Sequence, residues 1–492
     1  MSRAWNRRQF LKTSVSGLFG ACVVSHSHTA CAGGGKPPNL VFVFPDQMRG
    51  QALGFMDEDP VITPNLDRFA RESLVLTKAV SNYPVCSPYR AMLMTGKYPH
   101  ANGVLSNCNS GSAPFGCELR QMDRCWSDVL SDRGYSLGYI GKWHLDAPHK
   151  PYVKCENNSD RFAWNEWCPP PRRHGFDFWY AYGTYDYHLT PMYWRTDSTR
   201  DTPVKVNQWG PEHEADLATE YLRNAGGKYR DPDKPFALVV AMNPPHTPYR
   251  LVPQKYLDKY EGKTYRDLIN RPNVNIEGNT PGGKLARTQI KNYFAMVTGV
   301  DEQFGRILAA IRKEGLDRDT IVVFTSDHGN CLGCHEHATK NVHYEESMRV
   351  PFLIRWPSRI KPRRDPLLLS APDIYPTLLD LMGYAADIPQ SVQGISHSAL
   401  FLTGEGPRPT SQLYMWAPMG QPAWGRRGLR TDRYTFVITK SPGTPVKMVL
   451  HDNREDPYQL KDVAGDRPEV VKQLTAELER RLRRNDDPWL ES

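Results

Sequence analysis

Four short apolar runs constrain this chain most. Residues 40–44 (Leu-Val-Phe-Val-Phe), 136–140, 236–241 and 320–324 are each followed at once by polar or charged residues. Runs of this length without alternation suit strands buried on both faces, as in a parallel sheet covered by helices. Between them lie segments with helical spacing, at 65–73, 214–223, 292–314 and 371–382. Strands alternating with helices predict an α/β sandwich with a mostly parallel central sheet. In such sheets ligands bind beyond the carboxyl ends of the strands. Here those ends carry Asp46 and Gln47, Lys142 and His144, Asn243 and His246, and Asp327 and His328. One strand ending in an acid is commonplace, whereas four converging in this way define a candidate site.

The pattern changes after residue 400. Segments 412–416, 434–438 and 447–450 are strand-like and are separated by turn residues without helices, which predicts a small antiparallel sheet. Val470, Leu474, Leu478 and Leu482 then form an apolar stripe at i, i+4 spacing, so a terminal helix follows from about Asp466 and Pro468. Its arginines (Arg480, Arg481, Arg483, Arg484) sit near the helix C-terminus, where cations complement the dipole, and read as a solvated face. The expected organisation is a large domain at 37–404 and a C-terminal subdomain at 405–492, joined near 404–409.

The first 32 residues read as an address. Asn6-Arg7-Arg8-Gln9-Phe10-Leu11-Lys12 precedes an uncharged stretch at 13–24, too short to span a bilayer, and Ala30-Cys31-Ala32 supplies a small-x-small cleavage site. This resembles a twin-arginine (Tat) export signal, and implies the Tat machinery as a partner and a periplasmic location. Lipoprotein processing before Cys22 or Cys31, or secretion, are the lesser alternatives. Nothing else reaches the 18 apolar residues of a spanning helix. The net charge of +8 includes four cations from the first dozen residues, so the remainder gives no argument for nucleic acid, which needs a clustered basic face. Eight cysteines follow the signal: an oxidising compartment permits disulfides, above all within 108–168. Cys331-x-x-Cys334 is a weak zinc motif without a second pair, and a local disulfide or free thiols is the better reading.

Cys86-Ser87-Pro88-Tyr89-Arg90 follows a loop and precedes Ala91-Met-Leu-Met-Thr95-Gly96, which places Cys86 at a helix N-terminus with Pro88 at its first position, where amides and dipole favour an anion. Asp46, Gln47, Asp327 and His328 offer hard oxygen ligands and an imidazole suited to Ca²⁺ or Mg²⁺. With the T-G at 95–96 and Gly141-Lys142-Trp143-His144, these residues resemble the signatures C-x-P-x-R and G-K-W-H of the type I sulfatases of the alkaline phosphatase superfamily. The resemblance extends over about 38–460, ending in the segment 450–458.

What the resemblance implies is specific. Cys86 would be oxidised by a formylglycine-generating enzyme to Cα-formylglycine (3-oxoalanine), whose hydrate is the nucleophile. Arg90 would hold that hydrate. Asp46, Gln47, Asp327, His328 and position 86 itself would bind one divalent cation, usually Ca²⁺, with Mg²⁺ the alternative. Lys142 and Lys340 would grip sulfate oxygens, His144 would assist the hydrate's proton traffic, and His246 would protonate the leaving group. Gln47 and His328 depart from the commoner Asp and Asn, so the metal site carries one formal negative charge fewer. The implied substrate is a sulfated carbohydrate. The aromatic segment at 164–194 offers rings for sugar faces, and His188 or Arg195 would contact hydroxyls or a second anion, although such rings also serve simply as core. Two other readings stand beside this one: a phosphonate monoester or phosphodiester hydrolase of the same superfamily, and a glycan-binding protein that has lost its chemistry.

Overall fold

The computed structural model describes residues 36–492; the export-signal expectation for 1–32 lies outside the described residues. Ten strands form the main sheet: β1 (Asn39–Val43), β2 (Leu74–Leu76), β3 (Ser136–Lys142), β4 (Phe178–Tyr182), β5 (Met192–Arg195), β6 (Val204–Lys205), β7 (Phe236–Ala241), β8 (Thr320–Thr325), β9 (Phe352–Arg355) and β10 (Arg363–Asp365). Their order is β10-β2-β9-β8-β1-β7-β3-β4-β5-β6. The four runs that dominate the sequence are its contiguous parallel centre, β8-β1-β7-β3. Antiparallel pairing is confined to contacts made by β9, β5 and β6, so the sheet is parallel at its centre and mixed toward its edges.

The centre is buried on both faces, which explains why its strands read as unbroken apolar runs. Leu40, Phe42 and Phe44 belong to one apolar layer and Val41 and Val43 to another; Val239 and Val323 join the first, Val240 and Phe324 the second. The helices Cys86–Thr95, Trp126–Asp132 and Ala371–Leu381 contribute to the first layer. The helices Pro64–Arg71, Gly210–Arg223 and Pro281–Lys313 cover the other face. The last of these starts eleven residues before its predicted bound: Thr280 caps it by accepting from the Gly283 amide, and Gly282 and Gly283 pack tightly without an apolar stripe to betray them.

A second sheet is an antiparallel meander of β11 (Ser411–Trp416), β12 (Gly425–Thr431), β13 (Tyr434–Lys440) and β14 (Lys447–Asp452). β12 has no strand-like pattern because its buried arginines are held by ion pairs, Arg427 with Asp487 (2.7 Å) and Arg430 with Glu345 (2.6 Å). The terminal helix Pro468–Arg484 buries Leu478 and Leu482 against the first apolar layer. Among the described residues no helix is long and apolar enough to cross a membrane.

The structure decides between readings that the sequence left open for the cysteines and for the aromatic segment. All eight described cysteines are free thiols, with the Cys108 and Cys117 side chains hydrogen-bonded to each other and Cys331 and Cys334 buried. The aromatic segment is mostly core: Trp179, Trp194, Tyr182, Tyr185 and Tyr193 are buried, while Tyr187 is exposed. His188 is also buried, and its Nε2–H donates to the His246 carbonyl (2.9 Å), so neither of its roles in sugar contact survives.

Candidate active site

The carboxyl ends of the four central strands meet around Cys86. The helix Cys86–Thr95 begins at Cys86 itself, two residues earlier than Pro88 suggests, with Val85 as its extended N-cap. The thiol is buried and lies 3.1 Å from Lys340 Nζ, 3.4 Å from His328 Nε2, 3.6 Å from Asp46 Oδ1 and 3.9 Å from Lys142 Nζ. Arg90, one helical turn on, donates to Asp46 Oδ2 (3.2 Å), Asp327 Oδ2 (3.1 Å) and the Lys142 carbonyl (2.6 Å). Its guanidinium lies over Phe44, 4.8 Å from the ring centroid. Lys142 Nζ is 2.7 Å from Asp46 Oδ2 and 3.1 Å from Asn243 Oδ1.

Local backbone makes these approaches possible. Gly141 has φ +99°, and a Cβ there would fall 2.2 Å from the Ala241 carbonyl oxygen, so β3 closes on β7 only because the residue before Lys142 has no side chain. Gln47 and His144 occupy the left-handed region at φ 69° and 53°, conformations that non-glycine residues hold mainly at turns and functional sites.

Electrostatically the site is a buried balance. Burial pushes the Asp46 carboxyl up, but Lys142 and Lys340 outweigh it and hold it well below the usual carboxylate range. Burial and Asp46 likewise raise the Cys86 thiol, and Lys142, Lys340 and His328 overturn that and favour the thiolate. Burial next to Asp46 raises Asp327 to about 6 despite Arg90. Burial lowers His144, whose Nε2–H donates to the Cys108 carbonyl (3.1 Å), leaving Nδ1 as the acceptor nitrogen. For His246 burial and the two lysines act downward, while Asp46 and Asp186 reverse them and keep the ring protonated above its ordinary value.

A divalent cation fits these residues. Ligand atoms of Asp46, Cys86, Asp327 and His328 all lie within 4.8 Å of one another. His328 Nδ1–H donates to the Gly329 carbonyl (2.9 Å), which leaves Nε2 with its lone pair, the orientation a metal ligand needs. Gln47 Nε2 donates to Tyr249 (2.8 Å), whereas its Oε1 is buried without a partner, and a hard cation would satisfy that oxygen. Two close carboxylates with one of them raised are a further sign that positive charge is wanted there.

The catalytic and metal-binding residues expected from the sequence therefore gather at one edge of the sheet, His246 through Asn243 and the two lysines. The geometry adds Asp186, which was passed over, and gives Asn243 a role that the sequence did not assign. Asn243, inside the motif Asn243-Pro-Pro-His246, ties Lys142 to Asp186 by donating to Asp186 Oδ1 (3.2 Å). Asp186 lies in the loop after β4, 3.4 Å from His246 Nδ1. The lone acid within Tyr185-Asp186-Tyr187-His188 was the only signal, and the aromatic neighbours masked it.

Buried cations set around the first residue of a helix are an arrangement suited to a tetrahedral oxyanion. The family profile for sulfatases matches residues 38–384, and that for the C-terminal region of N-sulphoglucosamine sulphohydrolase matches 333–487. The chain is 42% identical over 489 residues to the Endo-4-O-sulfatase of Bacteroides thetaiotaomicron, covering 92% of this chain and 93% of that protein. It is 34% identical over 459 residues to the ulvan-active sulfatase of Formosa agariphila, covering 90% and 81%. Among solved structures, the Bacteroides fragilis protein described as sulfatase yidJ superposes with a TM-score of 0.89 at 49% identity, covering 92% and 97%. The chain belongs to the sulfatase family and is an enzyme that hydrolyses sulfate esters. The phosphonate monoester hydrolase of Agrobacterium radiobacter, 22% identical with a TM-score of 0.67, shares the fold.

Proposed function

We propose that the enzyme removes sulfate from sulfated carbohydrate chains, using a formylglycine made from Cys86 and one bound Ca²⁺. The observation that carries this reading is the surround of Cys86: Lys340 and Lys142 at 3.1 and 3.9 Å, His328 at 3.4 Å and Asp46 at 3.6 Å, all meeting at the first residue of a helix. The relatives named Endo-4-O-sulfatase and ulvan-active sulfatase support a carbohydrate substrate.

Asp46, Gln47, Asp327 and His328, with position 86, would hold the cation. When bound, the cation would supply Lewis acidity, and the formylglycine hydrate would supply one hydroxyl as nucleophile and a second for its regeneration. The chain's own residues do the rest. Lys142 and Lys340 bind the sulfate oxygens and neutralise charge that builds on them in the transition state. Arg90 orients the nucleophile position and balances Asp46 and Asp327. His144 Nδ1 takes and returns a proton at residue 86. His246 gives a proton to the alcohol oxygen as its bond to sulfur breaks.

We further read residues 1–32 as a Tat signal directing the enzyme to the periplasm, residues 37–404 as the catalytic domain and 405–492 as its C-terminal subdomain. A formylglycine-generating enzyme is the implied maturation partner.

The test is sulfate release. Matured enzyme with Ca²⁺ is incubated with sulfated oligosaccharides, 4-O-sulfated ones first, and inorganic sulfate and desulfated product are measured. Release supports the reading. Turnover of phosphonate monoesters with no sulfate released from any sulfated glycan would replace it with the sister activity.

A further inference from the structure

His246 is held from one side only. Its Nδ1 is 2.7 Å from the Thr247 carbonyl, to which it donates, and 3.4 Å from Asp186 Oδ1. That engagement consumes Nδ1 and leaves Nε2 for the substrate. The charged groups that bear on this ring come from every neighbouring element: Asp46 after β1, Lys142 ending β3, Asp186 and His188 after β4, and Lys340 beyond β8. Asp46 is already paired with Lys142 (2.7 Å) and Arg90 (3.2 Å). Asp186 is thus the carboxylate within reach of His246, and it is fixed there. Asn243 Nδ2 donates to its Oδ1 (3.2 Å), Asn157 Nδ2 donates to its Oδ2 (3.3 Å), and its own amide donates to Asn157 Oδ1 (3.2 Å). The pair is also the more accessible part of the site: the side chains of Asp186 and His246 are 31% and 13% exposed, against 0% for Asp46 and Lys142.

We propose that Asp186 is a positioning residue for the reaction, fixing the His246 imidazolium so that Nε2–H points to the departing alcohol oxygen. This rests on the reading of His246 as the proton donor. In the step, the bond between sulfur and the alcohol oxygen breaks with its electron pair remaining on oxygen. The Nε2 proton passes to that oxygen, and the ring is left neutral, still donating through Nδ1. The Thr247 carbonyl fixes the tautomer, and the Asp186 anion beside Nδ1 orients the ring and balances its charge while it is protonated.

The test is leaving-group dependence in matured enzyme, with formylglycine content matched by mass spectrometry. Rates are measured for aryl sulfates of graded phenol acidity and for a sugar sulfate, with wild type, Asp186→Asn, Asp186→Glu and His246→Gln. A proton donor matters most for poor leaving groups. The expected result is a steeper dependence on leaving-group acidity in both Asp186→Asn and His246→Gln, with loss of about 10- to 100-fold on the sugar sulfate and under about twofold on the most acidic phenol. Asp186→Glu regains part of the shallow slope. A steep His246→Gln with an unchanged Asp186→Asn slope overturns the role of Asp186 alone. If neither slope changes, His246 is not the donor, and both readings fall. A uniform loss across all substrates in Asp186→Asn would mark a merely structural residue and also overturn the proposal.

Discussion

Lys142 Nζ lies 2.7 Å from Asp46 Oδ2 with both side chains fully buried, while Lys340, the other cation beside Cys86, is 12% exposed and 3.8 Å from the same carboxylate. The two lysines therefore differ in what they do for the fold. Removing Lys142 takes away the nearer of two buried cations and leaves Asp46 with Arg90 at 3.2 Å. Lys142→Ala is expected to cost about 1–3 kcal/mol of stability. Lys340→Ala is expected to leave the melting temperature nearly unchanged. Both are expected to lower kcat/KM by about 10²–10³-fold. Denaturant unfolding alongside sulfatase kinetics checks this, and equal stability losses would contradict it.

Glu214 is buried beneath Gly141 and accepts from the Tyr193 hydroxyl (3.1 Å). Burial raises its carboxyl to about 8, against the opposing hydrogen bonds of Tyr193 and Tyr182. The folded chain then binds one more proton than the unfolded chain between the ordinary carboxylate range and about pH 8, so this group's contribution to stability falls as pH rises through that window. Glu214→Gln removes the term. Its melting temperature relative to wild type should rise steadily from about pH 5 to about pH 8. A difference that does not change with pH would contradict the assignment.

Gly141→Ala tests the backbone that delivers Lys142. The substitution meets both a φ of +99° and the Ala241 carbonyl oxygen. Positive φ alone costs about 1–3 kcal/mol, and the clash adds to it. Loss of stability together with loss of activity is expected, because relief of the clash moves Lys142. Full activity in a stable variant would show that β3 and β7 need not close this tightly.

Much of this was legible in the sequence, for identifiable reasons. β1, β3, β7 and β8 stood out because burial on both faces demands apolar residues throughout, and the site stood out because its polar residues follow those runs directly. The edge strands were not legible: β2 and β10 are three residues long, and β6 is two. β12 was hidden because ion pairs, not apolar side chains, hold its buried arginines. Asp186 and Asn243 act by contact with residues at the ends of other strands, which no local pattern records. The aromatic run left two readings open, since an apolar ring reads the same in a core as on a binding platform.

Gln47 offers a direct test of the cation. Its Oε1 is a buried oxygen at the site left without a hydrogen-bond partner. Ca²⁺ is expected to raise the melting temperature by mass action, and Gln47→Ala to require about tenfold or more Ca²⁺ for the same rise. Gln47→Asp restores an oxygen ligand and adds charge, so it should shift the requirement the other way. A melting temperature indifferent to Ca²⁺ in wild type would contradict the cation site.

The central claim is that Cys86 is a precursor. Peptide mass spectrometry of the Cys86 tryptic fragment, from protein produced with a formylglycine-generating enzyme, tests it most directly. Conversion of the thiol to an aldehyde lowers the mass by roughly 18 Da. The account predicts that loss at Cys86, in proportion to sulfatase activity across preparations. An unmodified Cys86 in fully active enzyme would contradict it.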